Sequence, residues 1–359
     1  MNKSHFAIIM AGGVGSRFWP MSKKNYPKQF IDILNKNKSL FQITFERFTQ
    51  ICPKENIYVV ANDAYVPLIK AQVPDIHLQN ILQEPEAKNT ACCLAYATYK
   101  IKQQHPDAVF VVSPSDHYIP SLSAFKSNIH KALSIAAQED ILITLGIQPN
   151  RPDTGYGYIH MDESEEIEGI CKVKDFTEKP NYALAQSFLE SGDYLWNSGI
   201  FVWNAKSIDR AFKRFLPKIR NLFASKQAFF TEKEKNHIQN AYQKSETTSI
   251  DYGIMEKADN VYVLSANFQW SDIGTWNALF DYLPKDEQNN AVNVKNGMIT
   301  NAKNCLINVY SEQLVAINGL NNVIVVEANG VLLITDRNRE QEVKQMVQRA
   351  KKDFGEDYI

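Results

Sequence analysis

The sequence predicts an α/β protein in which a mainly parallel sheet precedes a small, β-rich, solenoid-like C-terminal domain. Short apolar runs rich in β-branched residues recur through the first 150 residues, with amphipathic stretches between them. From about residue 154 the texture changes to glycine and aromatic residues. After residue 284, short apolar bursts lie roughly ten residues apart between Asn and Gly, which fits a few rungs of a β-solenoid or a small sheet.

The first part of the chain supplies the predicted sheet. Its apolar runs, each bounded by turn residues, cover residues 6–10, 57–60, 77–82, 108–112 and 141–145. Runs that are apolar at successive positions indicate parallel strands buried on both faces, with helices as crossovers. The clearest helix is residues 89–104, where Leu94, Ala97 and Ile101 share one face and Asn89 or Thr90 is placed to cap the helix.

The middle of the chain indicates an insertion beside the sheet. The remaining elements in order are a strand at 173–177, a helix near 182–190, a helical region at 207–244 and a returning strand at 261–264. The tail contributes apolar bursts at 305–309, 314–317, 323–327 and 331–334 and a closing helix at 339–351. We therefore predict a large domain over residues 1–284, with an insertion at about 154–204, and a small domain over residues 285–359.

Composition excludes several classes of protein. Lysine and arginine number 39 against 40 acidic residues, so the chain has no electrostatic footprint for duplex nucleic acid. No segment reaches the roughly 20 apolar residues of a membrane span, and the apolar run after Lys3 is too short for a signal peptide, so we expect a cytoplasmic protein. The cysteines have no zinc-site spacing and are expected to be reduced thiols; they are Cys52, Cys92, Cys93, Cys171 and Cys305.

A glycine-rich loop directly follows the first predicted strand. The loop contains Ala11, Gly12, Gly13, Gly15, Ser16 and Arg17. Further along the chain, Lys28 follows Pro27. Glycines there let backbone N–H groups turn inward around a phosphate, and an arginine adds charge. The loop lacks the GK[ST] ending of a Walker A motif and the third glycine of a dinucleotide-binding fingerprint. A tight turn that needs positive φ explains the glycines equally well.

Two aspartates are candidate ligands for a hard cation. Asp116 ends a predicted strand in the run Ser113-Pro114-Ser115-Asp116, and Asp272 lies between tryptophans in a later segment. Magnesium prefers carboxylate oxygen and keeps several of its waters, so two aspartates form a sensible protein ligand set. Either aspartate could instead cap a helix.

Two more regions have the composition of a ligand site. Gly157, Glu178, Lys179 and Asn197 lie in segments rich in glycine and aromatic residues, where backbone and carboxylate groups can approach a ligand closely. The stretch from Glu84 and Pro85 to Asn89 and Thr90 has carboxylate and carbonyl oxygens that could accept the N–H donors of a ligand. Turns, core packing and helix capping explain the same residues without a ligand.

Together these motifs resemble the sugar-phosphate nucleotidyltransferase family, and within it the mannose-1-phosphate guanylyltransferases. The resemblance rests on GGxGxR followed by PK, on the segments FTEKP and WNSGIF, and on the order of about six motifs over residues 6 to 282. It implies a Rossmann-like nucleotidyltransferase domain with a mixed, mainly parallel sheet. It also implies a short, monofunctional enzyme without a fused isomerase domain.

The resemblance further implies GTP and mannose 1-phosphate as substrates, GDP-mannose and pyrophosphate as products, and Mg²⁺ or another divalent cation as cofactor. Arg17 and Lys28 would be catalytic, and Asp116 and Asp272 would hold the metal. The nucleotide would lie against Ala11, Gly12, Gly13, Gly15, Ser16, Arg17, Glu84, Pro85, Asn89, Thr90 and Ser115. The sugar phosphate would lie against Gly157, Glu178, Lys179 and Asn197.

Other functions stay open at this stage. The chain could transfer another nucleotide, such as dTTP or UTP with glucose 1-phosphate, or be a catalytically silent regulatory homologue. A glycosyltransferase or NAD-dependent enzyme on a similar sheet is disfavoured by the missing third glycine and by the GGxGxR and PK pair.

The apolar bursts of the tail are too short to bury a sheet alone, so they need a partner surface. That surface is either the catalytic domain or the tail of a second chain, and we expect a homodimer.

Overall fold

The computed structural model describes residues 2–224 and 228–359. The chain folds as two compact units, each assembled from several segments. The first contains Met1–Gly12, Thr44–Ser115 and Ile119–Trp270, and the second contains Gly13–Ile43, Asp116–Tyr118 and Ser271–Ile359. The domain limits inferred from the sequence stay a prediction.

The first unit is built on a nine-stranded sheet in the order β3-β2-β1-β4-β8-β5-β9-β7-β6. Its strands are β1 His5–Met10, β2 Ile57–Asn62, β3 Ile81–Glu84, β4 Val109–Pro114, β5 Leu142–Ile147, β6 Gly157–Ile167, β7 Ile170–Glu178, β8 Tyr194–Asn204 and β9 Val261–Ser265. β8 runs antiparallel to β4 and β5, and β7 runs antiparallel to β6 and β9. The other strands share one direction, which confirms the mixed, mainly parallel sheet.

Helices cover this sheet. They are α1 Leu40–Phe48, α2 Val66–Gln72, α3 Asn89–Gln104, α4 Leu122–Gln138, α5 Tyr182–Ser191, α6 Ala205–Phe215, α7 Pro217–Phe223 and α8 Glu234–Lys244, and a π-helix spans Asp251–Met255. One core cluster joins the sheet to α3, α6, α7 and α8, with Phe6, Phe110 and Trp203 almost fully buried. The central strands are therefore apolar at successive positions because helices lie on their faces.

Most predicted elements of this unit match the structure, and two need correction. Residues 78–80 of the predicted strand form a 3₁₀ turn, because the Asn80 side chain donates to the carbonyls of Glu55 and Ile57 at 2.8 and 3.0 Å. The capping prediction was wrong. Lys88 precedes α3 without a side-chain cap, while Asn89, at φ 65°, accepts only from the N–H of Thr90. Part of the predicted helical region, residues 225–227, lies outside the described residues.

The second unit contains a four-stranded sheet, β10 Ala291–Thr300, β11 Leu306–Asn318, β12 Val323–Ala328 and β13 Val331–Asp336, flanked by α9 Trp276–Tyr282 and α10 Val343–Phe354. β10, β11 and β12 pair in parallel, with Ala291, Leu306 and Ile324 in register. Parallel strands joined by short connections are a solenoid arrangement, and the predicted β-rich tail is confirmed. The sequence did not predict β10, an edge strand that is mostly exposed.

The tail sheet has an apolar partner inside its own unit. Ala291, Leu306, Ile324 and Val326 belong to one core cluster with side chains that follow the glycine loop and with α9; these include Phe18, Met21, Ile31, Ile33, Ile273, Trp276 and Phe280. Of the two partner surfaces that the sequence allowed, this one comes from the segment predicted to be catalytic. A homodimer stays a prediction, since no second chain is needed to cover this face.

The described part of the chain has no helix with the length and apolar character needed to cross a membrane. All the cysteines are free, and all except Cys171 are buried.

Candidate functional site

The switch point of the larger sheet carries the first candidate residues. β1 pairs in parallel with β2 on one side and β4 on the other, so the strand order reverses there. The N–H of Ala11 donates to Val60 O at 2.8 Å, and the N–H of Ser115 donates to Met10 O at 3.0 Å. Ligands of open α/β sheets bind beyond the carboxyl ends of strands at such a point. Ala11 and Ser115 thus lie where this unit is expected to receive a ligand.

The glycine loop continues into the second unit with backbone donors available. Gly13 and Gly15 have φ of 88° and 62°, and a 3₁₀ turn over Ser16–Phe18 follows. Within the ranges that the structure describes, the N–H groups of Gly13, Val14 and Gly15 have no hydrogen-bond acceptor. Successive N–H groups of this kind form an anion-binding concavity. A tight turn without any ligand would require the same positive φ values, so the loop geometry also fits that alternative.

Arg17 and Lys28 have opposite environments in this unit. Arg17 is exposed, and no described residue hydrogen-bonds or ion-pairs with it. Lys28 is 5% exposed, and its Nζ lies 2.7 Å from Asp116 Oδ2, 2.8 Å from Asp272 O and 2.9 Å from Ile273 O. All three hydrogens of the ammonium group therefore have protein acceptors, whereas the guanidinium group of Arg17 is available to an anion.

Lys28 contacts the carboxylate of Asp116 and the backbone carbonyl of Asp272, and it also lies against the glycine loop. A Cβ at Gly15 would lie 2.7 Å from Lys28 Cβ, so the loop passes the lysine at a distance that only glycine allows. Burial would raise the pKa of Asp116, but the positive charge of Lys28 outweighs it and lowers that pKa below its ordinary value. Asp116 is held in the ionised form, the form that binds cations.

The donor chemistry of this cluster fits a divalent cation. Asp116 and Asp272 offer hard oxygen atoms, and Asp272 Oδ1 is oriented by the N–H of Gly274 at 2.9 Å. No group of three or more His, Cys, Asp or Glu side chains suited to a metal occurs among residues 2–224 and 228–359. Two carboxylates leave room for the waters and phosphate oxygens that Mg²⁺ retains.

The predicted nucleotide residues after β3 have structural partners in the first unit. Glu84 accepts a hydrogen bond from the Tyr242 hydroxyl at 2.9 Å, and burial raises the pKa of Glu84 to about 7. Thr90 Oγ1 accepts from the N–H of Ile250 at 2.9 Å, which ties α3 to the π-helix. Pro85 lines a cavity of about 710 Å³ beside β3. The structure does not gather these residues into one cluster.

The predicted sugar-phosphate residues do cluster in the first unit. Gly157 on β6 pairs with Glu178 on β7, and a side chain at 157 would collide with the Glu178 carboxylate and the Phe176 ring. Lys179 Nζ lies 2.6 Å from Glu178 Oε1. Asn197 lies at a bulge where β8 meets β5, and bulges re-aim side chains beside functional sites.

Sequence reasoning missed one member of this cluster, Asp251 in the π-helix. Asn197 Nδ2 donates to Asp251 Oδ1 at 2.9 Å, and Thr144 Oγ1 donates to Asn197 Oδ1 at 3.0 Å. Burial, followed by the negative charge of Glu178, raises the pKa of Asp251 to about 6. Asp251 follows Asn197 by 54 residues, and no spacing in the sequence connects the two.

Comparison with known proteins gives two family matches. The Nucleotidyl transferase family model matches residues 6–289, and the model of the MannoseP isomerase/GMP-like beta-helix domain matches residues 295–350. The first match contains every candidate residue described above. The second match covers most of the tail sheet and most of α10.

Individual proteins are similar along almost the whole chain. A mannose-1-phosphate guanylyltransferase of Klebsiella pneumoniae is 34% identical over 98% of this chain and 75% of its own length. The xanthan biosynthesis protein XanB of Xanthomonas campestris pv. campestris (strain B100) is 35% identical over 96% of this chain and 73% of its own. The crystal structure of a protein described as mannose-1-phosphate geranyltransferase, from Thermus thermophilus, superimposes with a TM-score of 0.85 at 28% identity, covering 97% and 99% of the two chains.

Proposed function

The chain belongs to the nucleotidyl transferase family, and from that premise we propose that it transfers GMP from GTP to α-D-mannose 1-phosphate, giving GDP-mannose and pyrophosphate. The observation that carries this proposal is the similarity to a mannose-1-phosphate guanylyltransferase along 98% of the chain. The exposed Arg17 beside a loop with unused N–H donors is the arrangement that such a transfer requires.

The reaction balances as a single in-line displacement. A phosphate oxygen of mannose 1-phosphate attacks the α-phosphorus of GTP and forms a new P–O bond. The bond from the α-phosphorus to the oxygen that bridges to the β-phosphorus breaks, and pyrophosphate leaves with that electron pair. The attacking oxygen is already anionic at neutral pH, so no general base is needed. Positioning and neutralisation of charge then carry the catalysis.

We assign the polyphosphate to the loop from Ala11 to Arg17. The N–H groups of Gly13, Val14 and Gly15 and the Arg17 guanidinium would hold the phosphate oxygens, and most firmly the charge that develops on the leaving pyrophosphate. Lys28 has a more constrained part. Because its ammonium group already has three protein acceptors, it would contact the reacting phosphate only by exchanging one of them.

The divalent cation is assigned to Asp116 and Asp272. When bound, such a cation would neutralise phosphate charge. The contribution of the chain itself is to keep Asp116 ionised through Lys28 and to orient Asp272 through the N–H of Gly274. The remaining assignments follow the resemblance, with Glu84, Pro85, Asn89, Thr90 and Ser115 for the nucleotide and Gly157, Glu178, Lys179 and Asn197 for the sugar phosphate.

A substrate panel tests the proposed reaction. Pyrophosphate release is measured with GTP, ATP, UTP and dTTP, each paired with mannose 1-phosphate or glucose 1-phosphate. We expect the highest kcat/KM for GTP with mannose 1-phosphate. A preference for UTP or dTTP with glucose 1-phosphate would assign another nucleotidyl transfer. No release with any pair, from folded protein with Mg²⁺ present, would indicate a silent homologue.

A further inference from the structure

The carboxamide of Asn197 is held in a single orientation. Its Oδ1 accepts from the backbone N–H of Gly199 at 3.2 Å and from Thr144 Oγ1 at 3.0 Å, while its Nδ2 donates to Asp251 Oδ1 at 2.9 Å. A backbone N–H can only donate, and a carboxylate can only accept. Gly199 and Asp251 therefore agree on which face of the amide carries oxygen and which carries nitrogen.

This orientation limits what Asn197 can offer to a ligand. An amide oxygen has two lone pairs, and both have partners in Thr144 and Gly199. The NH₂ group has two hydrogens, and Asp251 takes one of them. One N–H donor remains for a ligand. Asn197 can therefore recognise an oxygen acceptor of a sugar but cannot accept from a sugar hydroxyl.

The backbone around Asp251 keeps its carboxylate in place. Asp251 begins the π-helix that ends at Met255, an element that is rare and is found frequently at functional sites. Gly253, within that helix, packs so closely on Leu216 that a Cβ would lie 2.8 Å from Leu216 Cδ1. The π-helix thus has a fixed seat on the core, and Asp251 is presented to Asn197 from it.

We propose that Asp251 is a positioning residue for hexose recognition, which fixes the Asn197 amide so that it presents an N–H donor to the sugar 1-phosphate. This inference rests on the proposed function, since it assigns Asn197 to the sugar. Asp251 acts through Asn197, and its removal changes the polarity that the sugar meets. Binding of the nucleotide is left unchanged.

Exchanging the two side chains separates polarity from structure. In Asp251→Asn only the N–H of Gly199 still dictates the orientation of the Asn197 amide. The orientation is then held less firmly, and KM for mannose 1-phosphate should rise about tenfold, as expected when a hydrogen bond to a charged group is weakened. KM for GTP should change by less than about twofold. Asn197→Asp should fold poorly and bind the sugar weakly, because it faces the Asp251 carboxylate.

The double variant N197D/D251N is the decisive one. The carboxylate introduced at position 197 can accept from Thr144, from Gly199 and from the amide introduced at position 251. The hydrogen bonds within the protein are then restored, and Tm should recover toward the wild-type value. KM for the sugar should stay high, since position 197 then presents only acceptors. Recovery of both quantities would show that Asp251 is merely structural and would overturn the proposal.

Glu256→Gln is the matched control. Glu256 follows the π-helix, and its raised pKa reflects burial and then the charges of Glu178 and Asp251, but it has no hydrogen bond to Asn197. Both KM values should stay at wild-type level, and a rise in sugar KM equal to that of Asp251→Asn would make general charge the cause. If wild-type protein forms no GDP-mannose, the proposed function fails. The affinities of the same variants for mannose 1-phosphate and for glucose 1-phosphate are then measured by calorimetry. If wild-type protein and Asp251→Asn bind each sugar phosphate with equal affinity, the inference is overturned independently of the proposed function.

Discussion

Arg17 and Lys28 belong to one sequence motif but differ in burial and in hydrogen bonding. Arg17 is exposed and has no partner among the described residues, so its charge is available to a phosphate. Lys28 is buried against Asp116 and two carbonyl oxygens. A buried ammonium with complete hydrogen bonding holds structure together as well as supplying charge. Substitution of Arg17 should therefore lower activity alone, whereas substitution of Lys28 should lower both activity and stability.

We expect Arg17→Ala to lower kcat/KM by about 10² to 10³ with an unchanged Tm, because it removes a cationic donor to the phosphates without breaking a hydrogen bond or ion pair to any described residue. Lys28→Met keeps most of the side-chain volume but leaves Asp116 unpaired, and should lower both activity and the free energy of unfolding, the latter by about 3 kcal/mol. Steady-state kinetics and thermal melts check both. A large loss of Tm in Arg17→Ala, or none in Lys28→Met, would contradict these assignments.

At the scale of elements, the glycine loop depends on its close approach to Lys28. Gly15 combines a φ of 62° with a position where a Cβ would lie 2.7 Å from Lys28 Cβ. The first property strains any other residue, and the second displaces the lysine that pairs with Asp116. A side chain at position 15 should therefore disturb both the loop and the aspartate.

Gly15→Ala should therefore lower the free energy of unfolding by more than the roughly 1 to 2 kcal/mol that a left-handed backbone costs a residue other than glycine. We expect kcat to fall at least about tenfold, since the clash moves Lys28 away from Asp116. Gly330→Ala is the control for strain alone, because Gly330 has a φ of 77° and open space around its Cβ position. Equal losses of Tm and activity in the two variants would show that the contact with Lys28 is unimportant.

Much of the fold was readable from apolar periodicity, and the failures have local causes. The run at 77–82 looked like one strand, but the Asn80 side chain bonds to two carbonyls and turns the backbone before β3 begins. The apolar pattern did not predict β10, because an exposed edge strand needs few apolar residues. Helix α3 was found at its observed bounds, since it is long and apolar on the buried face.

The candidate site could be predicted from the sequence only where its residues lie in motifs that resemble those of a known family. The spacing of the glycine loop, Lys28 and the aspartates is recognisable because the resemblance supplies it. Asp251 could not be found in the same way, because its partner Asn197 lies 54 residues earlier and the contact depends on a π-helix and a bulge in β8. The complete occupation of the Lys28 ammonium is also a property of tertiary structure alone.

At the scale of the molecule, the C-terminal tail belongs to the same compact unit as the glycine loop from Gly13 onward. Trp19 Nε1 donates to Tyr358 O at 2.6 Å, and Asn329 Nδ2 donates to Pro20 O at 2.9 Å. The tail sheet also shares an apolar cluster with Phe18 and Trp276, which flank the catalytic candidates in sequence. The tail therefore packs on the residues that follow the glycine loop and on α9.

Two adjacent residues of β11 test whether this packing supports the glycine loop. Leu306 and Ile307 are both fully buried, but Leu306 belongs to the cluster with Phe18 and Trp276, whereas Ile307 packs in a cluster made only of tail residues. Each change to alanine should cost about 2 to 5 kcal/mol of stability through the cavity it leaves. Only Leu306→Ala should also lower kcat with GTP, because its cavity forms in the cluster that contains Phe18, the neighbour of Arg17. Thermal melts and kinetics below the lower Tm compare the pair at matched folded fraction. Equal activity in the two folded variants would mean that the tail stabilises the protein without positioning the glycine loop.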